Sequence, residues 1–327
     1  MDVPTTTRRR LIGVLAASAL AGPLLAAAPR PGSLVARHGR LQVRGSQVVD
    51  AHGRPIILRG SSLFWSQWRP AFYNPRLVRW LKEDWHANVV RAAIAAQQGG
   101  YDRNPKLQTR LAERVIDAAI AEGIYVVVDW HAHEPRRDDA IRFFSHIARK
   151  YRGVPNLIYE TYNEPVAHDW AKVIKPYHVD VIGAIRAIDP GAFVVAGTRS
   201  WTQDVDEAAA DPLPFDNVAY ALHFYAATHK QKLRDKAELA MRRGAALFVT
   251  EYGVTAANGD LPIDVAETKR WWDWCEKNAI SYLAWSICDK AEASAAVRPG
   301  SSPEGGWKES ELTDSGRLIR DRLRAMQ

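Results

Sequence analysis

The amino-acid sequence predicts an α/β protein with the (β/α)8 or TIM-barrel fold, built as a single domain with a short N-terminal β-hairpin. Eight short apolar runs recur roughly every 30 residues, and stretches of helical character fill the intervals between them. A doubly wound open sheet is the alternative α/β architecture. It is disfavoured because no glycine-rich phosphate-binding loop follows the first apolar run.

The apolar runs are the candidate strands of the barrel. Several are nearly continuous apolar segments, as expected for parallel strands that are buried on both faces. In chain order the runs are Ile56–Leu58, Val89–Ala92, Ile124–Asp129, Leu157–Asn163, Phe193–Ala196, Val218–His223, Leu247–Thr250 and Tyr282–Trp285. Ahead of them, residues 34–54 are expected to form the small hairpin, with its turn near Gly45-Ser46.

Three helix starts are recognisable between the strands. Asn74 and Asn104 each precede a proline, the pattern of a helix N-cap followed by proline at the first helical position. The second of these opens a helix over Leu107–Ala121, whose apolar residues have helical spacing. Asp264 precedes a further helix.

Residues 1–28 have the features of an export signal. The arginines Arg8–Arg10 precede an apolar, alanine-rich run that ends in Ala26–Ala28, and the arginine segment also resembles a twin-arginine signal. A membrane anchor is the alternative, but the run is short and Pro23 interrupts it. We therefore expect an exported protein, periplasmic or secreted, with one domain at 33–327 and no membrane association after removal of the signal.

The composition argues against several classes of function. The formal net charge is +7 without a long basic block beyond the leader, so we expect no nucleic-acid partner. Cys275 and Cys288 are too few for a zinc cluster, and both a disulfide and two buried thiols stay open. The unusual count is twelve tryptophans, which either pack in a core or line a surface for flat ligands such as sugars.

Polar and aromatic residues collect at the C-terminal ends of the predicted strands, where barrel enzymes hold their active sites. Core packing does not explain this pattern, because charged groups are rarely buried at strand ends without a functional or pairing reason. The residues are Arg91, His131, Asn163, Glu164, His223, Tyr225, Glu251 and Trp285. The sequence therefore predicts an active site at this rim.

Glu164 and Glu251 end the fourth and seventh strands and should face each other across the barrel mouth. Such a pair can cleave a glycosidic bond when one carboxyl is protonated and the other ionised. We expect Arg91 and hydrogen bonds from His223 and Tyr225 to keep Glu251 ionised. Glu164 has fewer evident cationic neighbours and suits the acid/base role. A pair of structural carboxylates is the alternative.

Two neighbours of this pair have different expected roles. Asn163 is placed to bond the 2-hydroxyl of a sugar, whereas Glu160 lies within the strand and is interpreted as structural. His131-Ala132-His133 is an H-x-H sequence at a strand end, which in some barrel hydrolases binds a metal. Those enzymes use it after the first strand, so we predict no metal and no cofactor. We expect His131 to shape the sugar site and His133 to be a polar loop residue.

The tryptophans divide into two groups. Trp68, Trp201 and Trp285 lie in or near the predicted rim loops, where an indole can stack on the apolar face of a sugar. Trp65 is left open between the two groups. The core group is Trp80, Trp85, Trp130, Trp271, Trp272 and Trp274.

The rim residues lie in motifs that resemble glycoside hydrolase family 5, in particular its bacterial cellulase branch. The resemblance extends from about His38 to Ala296. The motifs are Leu58-Arg59-Gly60, Asn88-Val89-Val90-Arg91, Val128-Asp129-Trp130-His131, Ile158-Tyr159-Glu160-Thr161-Tyr162-Asn163-Glu164-Pro165, Leu222-His223-Phe224-Tyr225, Phe248-Val249-Thr250-Glu251-Tyr252-Gly253 and Trp285-Ser286-Ile287-Cys288-Asp289-Lys290. The Asn-Glu-Pro element alone is moderately specific, and the ordered set is highly specific.

The resemblance implies a retaining endo-β-1,4-glucanase that hydrolyses cellulose or soluble β-glucan through a covalent glycosyl-enzyme. It implies that Glu251 is the nucleophile and Glu164 the acid/base, supported by the other rim residues. Lys290 and Glu292 match positions that contact sugar on the non-reducing side, and Trp201 matches an aromatic on the leaving-group side. We expect a monomer whose partner is the polysaccharide substrate.

This sequence departs from the family pattern at two positions of interest. Phe64 stands in the loop after the first strand where many members have histidine, and Tyr252 replaces the tryptophan that often follows the nucleophile. A β-mannanase or mixed-linkage glucanase is an alternative on the same machinery, because rim loops decide how the 2-hydroxyl is treated. A non-catalytic glycan-binding protein is the alternative of another class.

Overall fold

The structure, a computed structural model, describes Met1 and residues 29–326. The predicted export signal falls almost wholly on residues 2–28 and therefore lies outside the described residues. Within the part of the chain that is described, no helix combines the length and the apolar character needed to cross a membrane.

Eight parallel strands close into a barrel with helices between them, as the spacing of apolar runs predicts. A two-stranded antiparallel hairpin, β1 (Gln42–Arg44) and β2 (Gln47–Val49), precedes the barrel. The barrel strands are β3 (Arg59–Leu63), β4 (Val89–Ala95), β5 (Tyr125–His131), β6 (Leu157–Glu160), β7 (Phe193–Ala196), β8 (Val218–Tyr225), β9 (Leu247–Gly253) and β10 (Tyr282–Ile287). The wall closes where β10 pairs with β3, with Tyr282 opposite Arg59.

The helices lie outside this wall. They are α1 (Leu34–His38), α2 (Pro75–Glu83), α3 (Pro105–Glu122), α4 (Arg137–Lys150), α5 (Lys175–Arg186), α6 (Arg199–Thr202), α7 (Val205–Ala210), α8 (Gln231–Arg242), α9 (Val265–Lys277) and α10 (Asp314–Ala325). Two 3-10 turns, Pro70–Phe72 and Glu309–Glu311, and the π-helical Trp170–Ile174 complete the set. The three predicted N-caps are confirmed: the side chains of Asn74, Asn104 and Asp264 accept hydrogen bonds from backbone N–H groups three residues later, at 2.9, 3.2 and 2.9 Å.

The first and fourth strand predictions are wrong at their boundaries, and the second, third, sixth, seventh and eighth end two or three residues too early. The first strand begins at Arg59, after the predicted Ile56–Leu58, because Leu58 packs among buried residues at the floor of the barrel while Arg-Gly-Ser-Ser-Leu forms the wall. Those five residues have little of the β-branched character that marks a strand. The fourth strand ends at Glu160, because Asn163 leaves the strand ladder and donates its backbone N–H to Trp130 O at 3.1 Å.

The hairpin and α1 cover the floor of the barrel. The predicted turn at Gly45-Ser46 is confirmed, but Leu34–His38 is helical rather than part of the hairpin, because Ser33 caps it by accepting from Ala36 N at 3.1 Å. The floor is a single apolar cluster that joins these segments to the lower ends of the strands. It includes Val35, Leu41, Val48, Leu58, Val89, Tyr125, Ile158 and Phe193. Chemistry is therefore confined to the opposite, C-terminal end.

Most of the tryptophans assigned to the core are buried there. Trp85, Trp130, Trp271, Trp272 and Trp274 are buried in the main hydrophobic core, which is separate from the floor cluster, and Trp80 is half-buried against this core. Cys275 and Cys288 are both buried free thiols, so they do not form a disulfide. Burial raises the pKa of the Cys288 thiol to about 11.

Candidate active site

The structure brings the predicted rim residues together at the C-terminal mouth of the barrel. They lie on five of the eight strands and in the loop after a sixth. Arg91 is on β4, His131 on β5, His223 and Tyr225 on β8, Glu251 on β9 and Trp285 on β10, and Asn163 and Glu164 follow β6 in a loop. The last two therefore reach the mouth from a loop, and not from a strand end as expected.

Glu164 and Glu251 face each other across the mouth. A carboxylate oxygen of Glu164, one of Glu251 and a ring nitrogen of His223 all lie within 4.8 Å of one another. The Glu251 side chain is 5% exposed and the Glu164 side chain 13% exposed, so both carboxyls are shielded yet reachable from the cleft. In two-carboxylate glycosidases, carboxyl groups roughly 5–5.5 Å apart leave no room for a water molecule between a carboxylate and the sugar.

Arg91 is the centre of a buried ionic network. Its guanidinium donates to Glu251 Oε2 at 3.0 Å, to Glu160 Oε2 at 2.7 Å and to Asn163 Oδ1 at 2.6 Å, and it lies 3.1 Å from Asp129 Oδ2. Burial alone would lower the pKa of Arg91, but the charges of the three carboxyl groups raise it above its usual value. Arg91 therefore stays cationic and holds Glu251 and Asn163 in place.

Glu251 is held by donors that do not release their proton at neutral pH. Tyr225 donates its hydroxyl to Glu251 Oε1 at 2.8 Å, and Arg91 binds the other oxygen. Burial and the charge of Glu251 raise the pKa of Tyr225 well above its usual value. Gly253 leaves the space for this ring, because a Cβ there would lie 2.2 Å from Tyr225 Cδ1. Burial and the charge of Glu164 raise the pKa of Glu251 itself.

Glu164 has two imidazole partners, which overturns the expected electrostatics of the pair. His223 Nδ1 donates to Glu164 Oε1 at 2.9 Å, and His133 Nε2 lies 3.2 Å from Glu164 Oε2. Burial would raise the pKa of Glu164, but these two hydrogen bonds lower it to about 2. The predictions that His223 bonds Glu251 and that Glu164 has fewer cationic neighbours are therefore wrong.

His223 is the buried link between the two halves of the site. Its Nε2 donates to Thr250 Oγ1 at 2.9 Å, and Thr250 donates in turn to Glu160 Oε1 at 2.6 Å. Burial would lower the pKa of His223, but its contacts with Glu160 and Glu164 raise it to about 9. The interpretation of Glu160 as structural agrees with this position, because it binds Arg91 and Thr250 and lies within the wall.

His131 is held by a buried acid and an indole. Its Nδ1 lies 2.6 Å from Asp129 Oδ2, and its ring stacks on Trp285 with centroids 5.2 Å apart and planes 3° from parallel. Trp65, which the sequence left open between core and site, is buried and packs edge-on against His131 at 4.1 Å. Burial lowers the pKa of His131 well below its usual value, so the ring is neutral.

Sequence reasoning missed three polar members of the site. Asp129 orients His131, Thr250 joins His223 to Glu160, and His133, expected as a plain loop residue, contacts Glu164. The period of two along β5 was the available signal for His133. Asp129 and His131 lie on the same side of β5, because alternate residues of a strand do, and His133 continues this spacing two residues after the strand ends.

The carboxylates and the imidazole at the mouth could also act as ligands to a metal ion. Glu164, His223 and Glu251 offer one ligand atom each within 4.8 Å of one another. A divalent cation would have to compete with the hydrogen bond from His223 to Glu164, and Arg91 already neutralises Glu251. The prediction that the protein uses no metal stays a prediction.

Two exposed tryptophans flank the carboxylates on opposite sides of the mouth. Trp68 follows β3 and is 46% exposed, and Trp201 follows β7 and is 50% exposed. The two strands are four places apart in the barrel order, so the indoles lie across the mouth from each other. A cleft of about 600 Å3 extends from Glu164 past Trp201, lined also by Gln203, His223 and His229. Trp285, in contrast, is only 6% exposed and is buried against His131 and Phe64 below the mouth.

Lys290 and Glu292 lie on the Trp68 side of the mouth and form an ion pair with each other. The Lys290 ammonium lies 5.4 Å from the centre of the Phe64 ring, which also packs against Trp285 at 5.3 Å. Phe64, the residue that departs from the family pattern, therefore builds an apolar wall here. It joins Trp285 to the exposed Trp68, whose ring centre is 6.1 Å away.

The fold and the site together define a class of protein: a (β/α)8 barrel whose mouth holds the close carboxylate pair of a glycoside hydrolase. The family follows from the sequence as a whole. The model of the family Cellulase (glycosyl hydrolase family 5) matches residues 49–291, and the chain belongs to this family.

Relatives of known name agree with this assignment. An endoglucanase of Clostridium saccharobutylicum is 43% identical over 288 residues, which cover 86% of this chain and 64% of that protein. A solved structure from Cytophaga hutchinsonii is 47% identical with a TM-score of 0.89, covering 90% of this chain and 97% of the other. The catalytic domain of Thermobifida fusca endoglucanase Cel5A, in complex with cellotetraose, is 34% identical with a TM-score of 0.86, covering 90% and 100%.

Proposed function

We propose that the protein is a retaining endo-β-1,4-glucanase that hydrolyses internal bonds of cellulose or soluble β-glucan. The observation that carries the proposal is the approach of Glu164 and Glu251 to within 4.8 Å at the barrel mouth. This separation suits attack by one carboxylate on the sugar, and an inverting pair would need roughly 6.5–9.5 Å. The endoglucanase names of the relatives and the cellotetraose of the Thermobifida structure support glucan as the substrate.

In the proposed reaction Glu251 is the nucleophile. Its carboxylate forms a bond to the anomeric carbon while the bond from that carbon to the leaving oxygen breaks and Glu164 gives that oxygen its proton. Water then attacks the glycosyl-enzyme, Glu164 takes the proton of the water, and Glu251 leaves as the carboxylate. Two displacements at one carbon retain the configuration.

The partners of the two carboxylates support this division of roles. Glu251 is held by Arg91 and Tyr225, whose raised pKa values prevent them from giving up a proton at neutral pH. Glu164 is held by the imidazoles of His133 and His223, whose pKa values are raised by this carboxyl, so both can carry a proton for it at neutral pH. When an imidazole passes its proton to Glu164, the negative charge that raises the pKa of Glu251 disappears, so Glu251 is more fully ionised and available for attack.

Asn163 supports the proposed transition state from the side of the sugar ring. Its Oδ1 accepts from Arg91 at 2.6 Å, which fixes the orientation of the amide. Its Nδ2 is buried and has no partner within the described residues. A buried donor without a partner is costly, and a sugar 2-hydroxyl at this place would satisfy it. Hydrogen bonds to that hydroxyl strengthen in the transition state of such reactions.

Internal cleavage is favoured by the position of the carboxylates between two exposed indoles. Trp68 and Trp201 lie on opposite sides of the pair, so sugar units can bind on both sides of the scissile bond. Indoles stack on the apolar faces of sugars, which suits a chain that passes across the mouth. A site for chain ends would instead be blocked on one side, so that the chain could not extend past it.

The test is reducing-sugar release from carboxymethyl-cellulose, β-mannan and mixed-linkage β-glucan in parallel, with Glu251→Ala as the control. We expect release from carboxymethyl-cellulose that is absent in the variant, together with a rapid fall in viscosity. A preference for mannan or mixed-linkage glucan would preserve the mechanism and change the substrate. Tight oligosaccharide binding without release from any polymer would overturn the proposal in favour of a glycan-binding protein.

We also propose that the protein is exported and acts as a monomer free of the membrane. The arginine triplet and the alanine-rich run of residues 1–28 support export, to the periplasm or beyond the cell. Fractionation of cells that express the full chain tests this proposal. Recovery of active protein in the membrane or cytoplasm would contradict it, and light scattering of the purified protein tests the monomer.

A further inference from the structure

The loop that carries Trp201 is a left-handed turn with an unusual backbone. Ser200, Trp201 and Thr202 have φ values of 57°, 53° and 61°, a region that residues other than glycine rarely adopt. Thr202 is β-branched, which makes this conformation still less favourable. Strained residues of this kind persist only where surrounding contacts hold them, and they concentrate at functional sites.

The contacts that hold the turn lead to the chain segment that bears Glu164. Ser200 N donates to Val166 O at 3.0 Å, and Trp201 N donates to Pro165 O at 3.0 Å. Both acceptors follow Glu164 directly in the chain. The turn is therefore bonded to the backbone on the C-terminal side of this carboxyl.

Thr202 completes the connection on the other side of Glu164. Its hydroxyl is buried and donates to Asn163 O at 2.7 Å, while its own N–H donates to Thr198 O at 3.1 Å. The close approach requires Gly197, because a Cβ there would lie 2.0 Å from Tyr162 O. The backbone on both sides of Glu164 is thus tied to one turn.

The same turn reaches the cleft. The indole of Trp201 lines the cleft together with Glu164 and stands where the leaving-group sugar of the proposed reaction would bind. Glu164 must give its proton to the oxygen of that sugar. Proton transfer depends on a hydrogen-bond distance of roughly 2.6–3.2 Å, so a small displacement of the carboxyl has a large effect on rate.

We propose that Thr202 is a positioning residue for Glu164, and that the turn Ser200–Thr202 aligns this carboxyl with the leaving group stacked on Trp201. The inference rests on the proposed glucanase function. Through its hydroxyl, Thr202 holds the Asn163 carbonyl and so sets the direction in which the next residue projects. Thr202 does not touch the substrate, and its effect passes entirely through Glu164.

The test compares Thr202→Val with Thr202→Ser. Valine keeps the β-branched shape and removes the hydroxyl, whereas serine keeps the hydroxyl. The substrates are phenyl β-cellobioside, whose leaving group needs a proton, and 2,4-dinitrophenyl β-cellobioside, whose leaving group needs none. Both carry one aromatic ring, so the contact with Trp201 is similar in the two.

For Thr202→Val we expect kcat/KM on the phenyl substrate to fall about ten- to a hundredfold, with little change on the dinitrophenyl substrate. Thr202→Ser should restore most of the loss. Glu164→Ala serves as the reference, with the same selectivity and a larger loss. An equal fall on both substrates, or none, would overturn the inference while leaving the function intact. A wild-type protein inactive on both substrates and on polymers would instead remove the proposed function.

A second variant loosens the turn from its outer side. Asp204 accepts hydrogen bonds from Ser200 Oγ at 2.7 Å and from Arg199 Nε at 3.0 Å, and it does not contact Glu164. If Thr202→Val does not fold, Asp204→Asn carries the same expectation with a smaller selective loss. An unselective loss in Asp204→Asn would contradict the proposed link between the turn and the acid/base carboxyl.

Discussion

His223 donates a hydrogen bond from Nδ1 to Glu164 Oε1 at 2.9 Å, while its other nitrogen faces Thr250. The imidazole therefore serves the carboxyl that must gain and lose a proton, and it leaves Glu251 to Arg91 and Tyr225. An ion pair with so little exposure to water couples protonation of the site to the stability of the fold.

The pH dependence of stability should report this pair. The pKa of His223 is raised to about 9, so its contribution is fully present below its unfolded value of 6.5 and is lost as pH rises through 9. The pKa of Glu164 is lowered to about 2, so its contribution is present above 4.5 and is lost as pH falls through 2. The pair should stabilise the protein most between these unfolded values.

His223→Asn is the variant that tests this dependence, because it keeps a donor near Glu164 but cannot become cationic. We expect the wild type to lose roughly 2–3 kcal/mol of unfolding free energy relative to the variant between pH 6 and pH 9.5. Urea unfolding of both proteins at several pH values measures the difference. Parallel curves for the two proteins across this range would show that His223 does not titrate there.

Replacement of Glu164 and replacement of Glu251 should give different products when azide is present. We expect Glu164→Ala and Glu251→Ala each to lower the turnover of cellotetraose by a factor of about a hundred to ten thousand. With an activated aryl cellobioside, azide should enter the space that each variant opens. The product should be the β-glycosyl azide for Glu164→Ala and the α-glycosyl azide for Glu251→Ala, and proton NMR of the anomeric signal identifies them.

Glu83→Gln is the control for the two glutamate variants, since Glu83 is an exposed residue of α2 outside the site. It should keep wild-type turnover. Exchange of the two azide products between the variants would reverse the assigned roles, and near wild-type activity in either variant would remove that residue from the mechanism.

Arg91 should be indispensable to the fold as well as to the site. Replacement by methionine leaves Asp129, Glu160 and Glu251 close together without their shared cation, and we expect a loss of about 3–5 kcal/mol. Arg79→Met is the matched control, because Arg79 pairs with Glu122 at 2.8 Å but its side chain is 64% exposed. Because this pair is screened by solvent, its loss should change stability far less than the loss of Arg91. Similar costs for the two variants in urea unfolding would argue against a buried network.

Removal of the flanking indoles should change where an oligosaccharide is cut. Trp68→Ala and Trp201→Ala should each lower kcat/KM on cellopentaose by about tenfold through lost stacking. Because the two indoles lie on opposite sides of the carboxylates, we expect the ratio of products to shift in opposite directions. Chromatography of the early products measures this ratio, and Trp201→Phe should restore most of the activity. Shifts in the same direction would place both residues on one side of the scissile bond.

The barrel and its rim were predictable because they depend on short-range patterns. Runs such as Val89–Ala92 are apolar whatever surrounds them, and parallel strands of a barrel deliver their ends to one mouth. The sequence was less informative about where individual strands begin and end. β3 contains Arg59, Gly60 and two serines, so its place in the wall follows from pairing with β4 and β10 and not from its own residues.

The internal contacts of the site were not predictable to the same degree. Position along the chain indicates that His223 and Glu164 reach the same mouth, but not which oxygen the imidazole meets. That choice depends on the loop after β6, where Asn163 donates its N–H to Trp130 O and Glu164 to Ala132 O. Thr202 is a stronger example, because its hydrogen bond to Asn163 O forms only through a left-handed turn that no residue pattern predicts.

The closure of the wall between β3 and β10 has a consequence for synthesis of the chain. Tyr282 pairs with Arg59, so the first and last strands of the barrel meet only after nearly the whole domain has left the ribosome. Until then the nascent chain has two unpaired sheet edges and an incomplete interior, which favour association with other chains. Long-range pairing of this kind also slows folding. Fragments that stop before β10 should therefore be found with chaperones or in aggregates rather than as smaller folded units.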